Sequence, residues 1–375
     1  MASAAARDER SFLARHGGVG LMAGLVLLVL AASVVSMGTG AVPLPPERVV
    51  RVLWLAATGA PDAISAGDRL VVIGIRLPRT LLGLMVGGAL AVSGALMQGL
   101  FRNPLADPGL AGVSSGAALA AALVIVLGQP IVTFAAAALS SWTGAAPALQ
   151  GGGTPFALLP LAAFGGGLLV TLLLYALSTR NGETRIATLL LAGVAIGALT
   201  GAVTGLLSYI SDDRQLRDLT FWSLGSLGGA TWDRVVTVAP AILPVFLAVP
   251  FLARGLNALA LGEAEAFHLG FAVQRIKRAT LFLVSVAVGA AVATSGVIGF
   301  VGLVVPHLLR LLHGADHRTL LPASALLGGA LLVGADSLAR TVVAPAELPI
   351  GILTAVLGAP FFLWLLLARG RDLSA

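Results

Sequence analysis

Long apolar runs broken by short polar stretches dominate this chain, and the lengths of the runs decide what they are. From Thr80 to Phe101 about 22 consecutive residues carry no charge, roughly the 20 that a helix needs to cross a hydrocarbon core of about 30 Å. Apolar runs of comparable character recur near 19–37, 111–128, 156–178, 186–208, 235–253, 279–296, 300–312, 320–339 and 349–367, and with 80–101 they predict ten helices. The run at 300–312 is too short to cross alone and reads as a broken helix. The polar-flanked stretch 214–229 reads as a partly inserted helix, because interrupted helices at membrane depth need protein or water beside them. The first run, near 19–37, exceeds the roughly 7–15 apolar residues of a signal peptide, so it is expected to stay as a span.

Composition narrows the class. The chain has 375 residues, 58% of them hydrophobic and 11% charged, with a mean hydropathy of +0.98, against about 25% charged in soluble domains. An outer-membrane barrel would show alternating segments of about ten residues instead of continuous apolar runs. The expected fold is therefore an all-α integral membrane protein, a polytopic bundle forming a single domain over 1–375. Cysteine is absent, which removes disulfides, thiolate nucleophiles and thiolate metal sites from consideration.

Charge then orients the bundle. The formal net charge is +6, yet the 22 arginines and single lysine sit at the ends of apolar runs and form no basic face, which argues against a nucleic-acid partner. With residues 1–18 placed in the cytoplasm, fourteen of the 23 basic and eight of the 17 acidic residues fall on that side, net +6, and nine of each fall outside. That asymmetry follows the positive-inside rule and puts both termini in the cytoplasm. The segment 129–155, rich in Gly, Ser and Pro, reads as an external loop or hairpin.

Candidate chemistry is sparse. Gly193, Gly197, Gly201 and Gly205 recur every four residues along one helix stripe, which leaves open close helix packing of the small-xxx-small kind and the lining of a wide path. The cytoplasmic segment 253–278 holds one short amphipathic helix, with Glu263 and Glu265 near its start and Gly270 after its end, which leaves open a plain solvated loop but favours a docking helix for a soluble partner. A phosphate-binding loop would need Gly-Lys before Ser or Thr, but Lys277 stands between Ile276 and Arg278. Ion-driven carriers keep ionisable groups within their spans, where this chain has few, so an ion-coupled secondary transporter is the weaker reading and energy is expected from another subunit. His313 and His317 have i, i+4 spacing, but with Asp316 and Arg318 beside them a solvated turn is expected rather than a metal site; His307 reads as structural. Asp212 and Asp213 have no second acidic cluster to answer them, which argues against a Mg²⁺-dependent prenyl transferase.

The segments IRLPRTLLGLMVGGALAVSGALMQGLFRNPLADPGLAGVSSGA, LLLAGVAIGAL, GEAEAFHLG, GVIGFVGLVVPHLLRLLHGADHRTLLPASALLGG and ADSLAR with ELPIGILTAVLGAPFFLWLL together resemble the type II ABC importer permeases for iron–siderophore complexes, haem and vitamin B12. The resemblance runs from about residue 76 to 367 and departs mainly at 129–155. It implies a homodimer in the bacterial inner membrane with a path at the dimer interface, two ATPase subunits beneath it and a periplasmic or lipid-anchored substrate-binding protein above. No cofactor would be bound by this chain, ATP and Mg²⁺ acting at the ATPase partner. By the same resemblance Arg76, Arg79 and Arg340 would meet acidic residues of the binding protein. Asn103 and Leu105 would form the cytoplasmic gate, and Gly262, Glu263, Ala266, Leu269 and Gly270 the ATPase-coupling helix. The stretch 216–232, LRDLTFWSLGSLGGATW, resembles haem-uptake permeases more than the vitamin B12 branch and makes haem the expected cargo, with ferric-siderophore complexes as the runner-up and cobalamin behind. Met85 and Met97 are expected to pack rather than to ligate iron, since tight axial ligation would trap haem in a conduit.

Overall fold

The computed structural model describes residues 2–40, 42–143, 154–180 and 183–370, and these are almost wholly helical. In chain order they form α1 (Ala2–Gly38), α2 (Pro46–Ala57) and α3 (Ala66–Asp68), then a π-helical stretch (Arg69–Arg76) that runs directly into α4 (Leu77–Phe101). There follow α5 (Val113–Thr143), α6 (Thr154–Ser178), a two-stranded antiparallel hairpin of β1 (Thr179–Arg180) and β2 (Glu183–Thr184), α7 (Ile186–Ile210) and α8 (Asp213–Leu224). The remainder comprises α9 (Trp232–Leu261), α10 (Glu263–His268), α11 (Val273–Ser295), α12 (Val301–His313), α13 (His317–Ala339) and α14 (Ile350–Gly370). Among the described residues eight helices are long and apolar enough to cross a membrane, and α12 and the described part of α14 are shorter apolar helices. Each of the ten predicted runs coincides with one helix.

α4 is the axis of the bundle, buried along nearly its whole length. Its sequence explains this: GLMVGGALAVSGAL presents small residues on every face, so neighbouring backbones can close on it without a hydrophobic force that lipid would cancel. A Cβ at Gly94 would lie inside the contact radius of the Gly302 carbonyl of α12, and one at Gly87 would strike the Gly328 carbonyl of α13. α5 and α6 approach in the same way through Gly116 and Gly166.

The stretch expected to form a partly inserted helix is helical as α8 (Asp213–Leu224). Asp212 accepts from Gln215 N at 2.8 Å while the Gln215 side chain accepts from Asp212 N at 3.2 Å, closing a capping box. Gln215 Nε2 also donates to Val126 O at 3.2 Å, and Leu219 is buried with Ala122, Ile125 and Leu207, so α8 lies against α5 and α7. Its C-terminal end meets two other breaks: Ser226 N donates to Ser295 O at 2.7 Å, and Ile350 N to Gly225 O at 3.0 Å.

Three boundaries differ from expectation. The segment 253–278 is not an extended loop: the Ala/Leu-rich residues after Ala253 continue α9 to Leu261, and α11 begins at Val273. α5 continues through Pro130 to Thr143, so much of 129–155 is helical; residues 144–153 of that stretch lie outside the described residues. Amphipathic α2 and the π-helical entry to α4 had no counterpart among the predicted runs, because their apolar faces are interrupted by Arg48, Arg51, Arg69 and Asp68.

Candidate functional site

Contacts sort the predicted site residues to opposite ends of the bundle. Arg76 bonds to Met37 O and Val42 O, Arg79 to Asp336 and Glu347, and Trp232 Nε1 donates to Ile73 O at 2.9 Å. At the other end Lys277 meets Glu263 and Thr184, and Asn257 meets Asp316 and His317. The three arginines and the short helix α10 are therefore separated by the length of the transmembrane bundle.

At the Arg76 end the structure builds one charge network. Arg79 clamps Asp336 through Nε (3.0 and 3.1 Å) and Nη2 (2.8 Å), and reaches Glu347 through Nη1 (2.9 Å) and Nη2 (2.8 Å). Arg340 Nε lies 3.1 Å from the second Asp336 oxygen, and its Nη groups donate to Ser36 O, Ser36 Oγ and Thr39 O. Arg76 is 6% and Arg340 8% exposed. The three arginines are thus brought together, but their guanidiniums point into the fold and are engaged by backbone carbonyls and intramolecular carboxylates. Glu347, with its side chain 42% exposed, is the outer edge of the cluster; the hydrogen bond from Arg79 holds its carboxyl below the usual range, against the opposing effect of burial. Sequence reading did not single out Asp336 or Glu347, although both lie within the quoted ADSLAR and ELPIG segments.

At the opposite end α4 stops where Arg102 adopts a left-handed conformation (φ 51°). Asn103 Oδ1 then accepts from Leu105 N at 2.9 Å, an Asx turn, and Asp107 Oδ1 accepts from Gly109 N at 2.7 Å, capping a 3₁₀ turn (Pro108–Ala111). Burial raises the Asp107 carboxyl above its ordinary pKa, the Gly109 N–H partly offsetting it. Ala106 anchors the turn in the core, whereas Leu105 is 47% exposed and projects from it. Behind the turn Gln98 ties α4 to α12, donating to Gly302 O at 3.2 Å and accepting from Arg310.

α10 is set off by two glycines. Gly262 (φ +140°) and Gly270 (φ +84°) hold conformations that L side chains rarely adopt, so the chain leaves α9, makes a turn and a half and re-enters at α11. Glu263 is fixed by Lys277 Nζ at 2.7 Å, which also donates to Thr184 O at 3.1 Å. Ala266 is 0% exposed and faces the bundle, while Phe267 (68%) and Leu269 stand out into the surroundings. This surface knob includes Phe267.

The glycine stripe does not pack inside this chain as a whole. Gly193 is buried, but a Cβ at Gly197, Gly201 or Gly205 would meet nothing within 4 Å, so α7 presents a smooth open face. His317 departs from the expected solvated turn: it starts α13, is buried against Gly99, and places Nδ1 2.8 Å from Asn257 Oδ1. His307 packs near the Phe361 and Phe362 rings. Met97 is buried in the core, and Met85 is partly buried against it.

Known proteins resemble this chain along most of its length. Residues 27–368 match the FecCD transport family. The chain is 48% identical to the hemin transport system permease protein HmuU of Yersinia pestis, over 94% of this chain and 97% of that protein. It is 43% identical to the cobalamin import system permease protein BtuC of Halobacterium salinarum (93% and 87% covered) and 41% to the vitamin B12 import system permease protein BtuC of Klebsiella pneumoniae (93% and 94%). A solved inward-facing structure of a metal-chelate type ABC transporter superposes with a TM-score of 0.75 at 32% identity, covering 92% of this chain and 97% of that one. The chain belongs to the FecCD transport family and is a multi-pass ABC transporter permease.

Proposed function

We propose that this permease carries haem into the cytoplasm as a homodimer driven by two ATPase subunits and supplied by an external binding protein. The observation that carries the cargo assignment is the 48% identity to a haemin permease over nearly the full length of both proteins, against 41–43% to cobalamin permeases over similar spans. The open glycine face of α7 supports a path for a bulky planar solute at the interface between two copies. Exposed Phe267 and Leu269 on α10 supply apolar knobs for an ATPase cleft, and Leu105 on its Asx turn supplies a closing side chain at the same end.

The docking role of Arg76, Arg79 and Arg340 takes a more specific form. Binding-protein carboxylates would have to compete with Asp336 and Glu347, and Arg79 is the arginine within reach, because its outer partner Glu347 is the exposed one. Arg76 and Arg340 then act by holding that cluster in place. Parallel uptake assays offering haem, a ferric siderophore and cobalamin to proteoliposomes with the cognate ATPase and binding protein test the cargo. Accumulation of haem alone is expected. Accumulation of cobalamin alone would establish the second reading, which the BtuC relatives favour, and exclusive siderophore uptake would equally overturn haem.

A further inference from the structure

A groove of about 720 Å³ opens between α1, α4, α9 and α13, within the roughly 300–1,000 Å³ typical of ligand clefts. Its wall is apolar, formed by residues such as Val29, Met85, Phe246 and Ala325, and two arginines, Arg254 and Arg318, stand in its lining. Arg254 lies in the last turns of α9 and Arg318 in the first turn of α13, so both belong to the end of the bundle opposite Arg76. Phe246 is fifteen residues from the end of α9, about 22 Å along the axis. The groove therefore runs from the level of the helix ends toward the middle of the bilayer, parallel to a lipid tail.

Charge selects the occupant. Among the described residues neither Arg254 nor Arg318 forms an ion pair. The neighbouring carboxylate, Asp316, accepts from Asn257 Nδ2 at 2.6 Å and Arg318 N at 3.0 Å, and it attracts the Arg318 charge without forming a contact ion pair. Two exposed guanidiniums above an apolar slot match one phosphate and one acyl chain: guanidinium and phosphate form charge-assisted, often bidentate hydrogen bonds, and basic pockets between helices on the cytoplasmic side suit anionic headgroups.

We propose that this groove binds one anionic phospholipid per chain from the leaflet at the Arg102 end, its phosphate between Arg254 and Arg318 and an acyl chain along Val29, Met85 and Phe246. The site is independent of the cargo path, and its test does not depend on the cargo. The full chain, purified and stripped of lipid, is titrated with phosphatidylglycerol, with phosphatidylcholine of the same acyl chains and with glycerol phosphate alone, and retained ligand is read by native mass spectrometry. One phosphatidylglycerol per chain should be retained, with phosphatidylcholine and glycerol phosphate held at least tenfold more weakly. Arg254→Gln with Arg318→Gln should weaken retention tenfold or more. Val29→Trp, which fills the slot without altering charge, should do likewise, while Arg180→Gln on the exposed hairpin should have no effect. Unchanged retention in the double variant, equal binding of the two lipids, equal binding of glycerol phosphate, or equal loss in the Arg180→Gln control would each overturn the proposal.

Discussion

Replacing Asp336 with alanine should be among the most damaging single changes at the Arg76 end. Its side chain is 2% exposed and accepts from Arg79 at 2.8–3.1 Å while lying 3.1 Å from Arg340 Nε. Removing one partner of a buried ion pair costs about 3–5 kcal/mol, because the remaining charge is left without compensation. Arg79 keeps Glu347 at 2.8 Å after the change, so its share of that penalty is reduced. Arg340 retains the Asp336 backbone carbonyl at 3.3 Å and the Ser36, Ser337 and Thr39 oxygens, neutral acceptors that stabilise a cation less than a carboxylate does. The expected loss is therefore near the lower end, about 3 kcal/mol. Equilibrium denaturation of the purified permease in lipid–detergent micelles measures it. The same change made in an Arg340→Met background should cost less, by about 1 kcal/mol or more, since residues sharing one network do not add. A loss below about 1 kcal/mol, the level of an exposed pair, or strict additivity with Arg340→Met, would refute the reasoning that this carboxylate neutralises two buried guanidiniums.

Glu347→Gln should free the outer Arg79 donors and raise affinity for the binding protein about two- to fivefold at low salt, the scale of one exposed ion pair, with a steeper salt dependence; a surface-binding assay showing weaker docking would contradict the competition model. Because Arg79 holds the Glu347 carboxyl below its ordinary value, the contact stabilises the fold fully above the unfolded carboxyl value, near pH 4.5, and its contribution is lost as pH falls through the folded value; Glu347→Gln should flatten the stability–pH curve in that acidic window. In this cysteine-free chain Phe267→Cys should crosslink to the ATPase, whereas Ala266→Cys, fully buried, should not react until the fold opens. Gly94→Ala, which drives a methyl into the Gly302 backbone, should destabilise by about 1–3 kcal/mol or more. Gly201→Leu, pointing into open space, should leave the monomer fold intact and reduce transport, and unaltered uptake would remove that face from the path.

Element positions were readable because membrane spanning imposes a length and an apolar composition, and α8 and α10 announced themselves by polar flanks and by capping residues. Direction of side chains was not readable. An arginine at the end of a span looks the same in sequence whether it faces a partner or folds back on Met37 O, and only the tertiary placement of Asp336, 257 residues beyond Arg79, settles its contacts. The coupling segment contracted for a similar reason: Arg254 and Asn257 mark a polar boundary in sequence, yet the surrounding Ala and Leu residues keep α9 helical until Gly262 requires a positive φ. The glycine stripe was ambiguous because small residues serve close packing and open paths alike; the empty space over Gly197, Gly201 and Gly205 shows only that these three do not pack against another helix of the same chain. His317 was misplaced because its neighbours Asp316 and Arg318 are exposed while it turns inward against Gly99.

The central claim is that this chain is the haem conduit of an ATP-driven importer. The most direct measurement is haem accumulation in proteoliposomes holding the permease with its ATPase, binding protein outside and nucleotide inside. Accumulation should require ATP, cease with a non-hydrolysable analogue or without the binding protein, and be indifferent to an imposed proton or sodium gradient. Uptake driven by an ion gradient without ATP, or no haem uptake while another metal chelate accumulates, would contradict it.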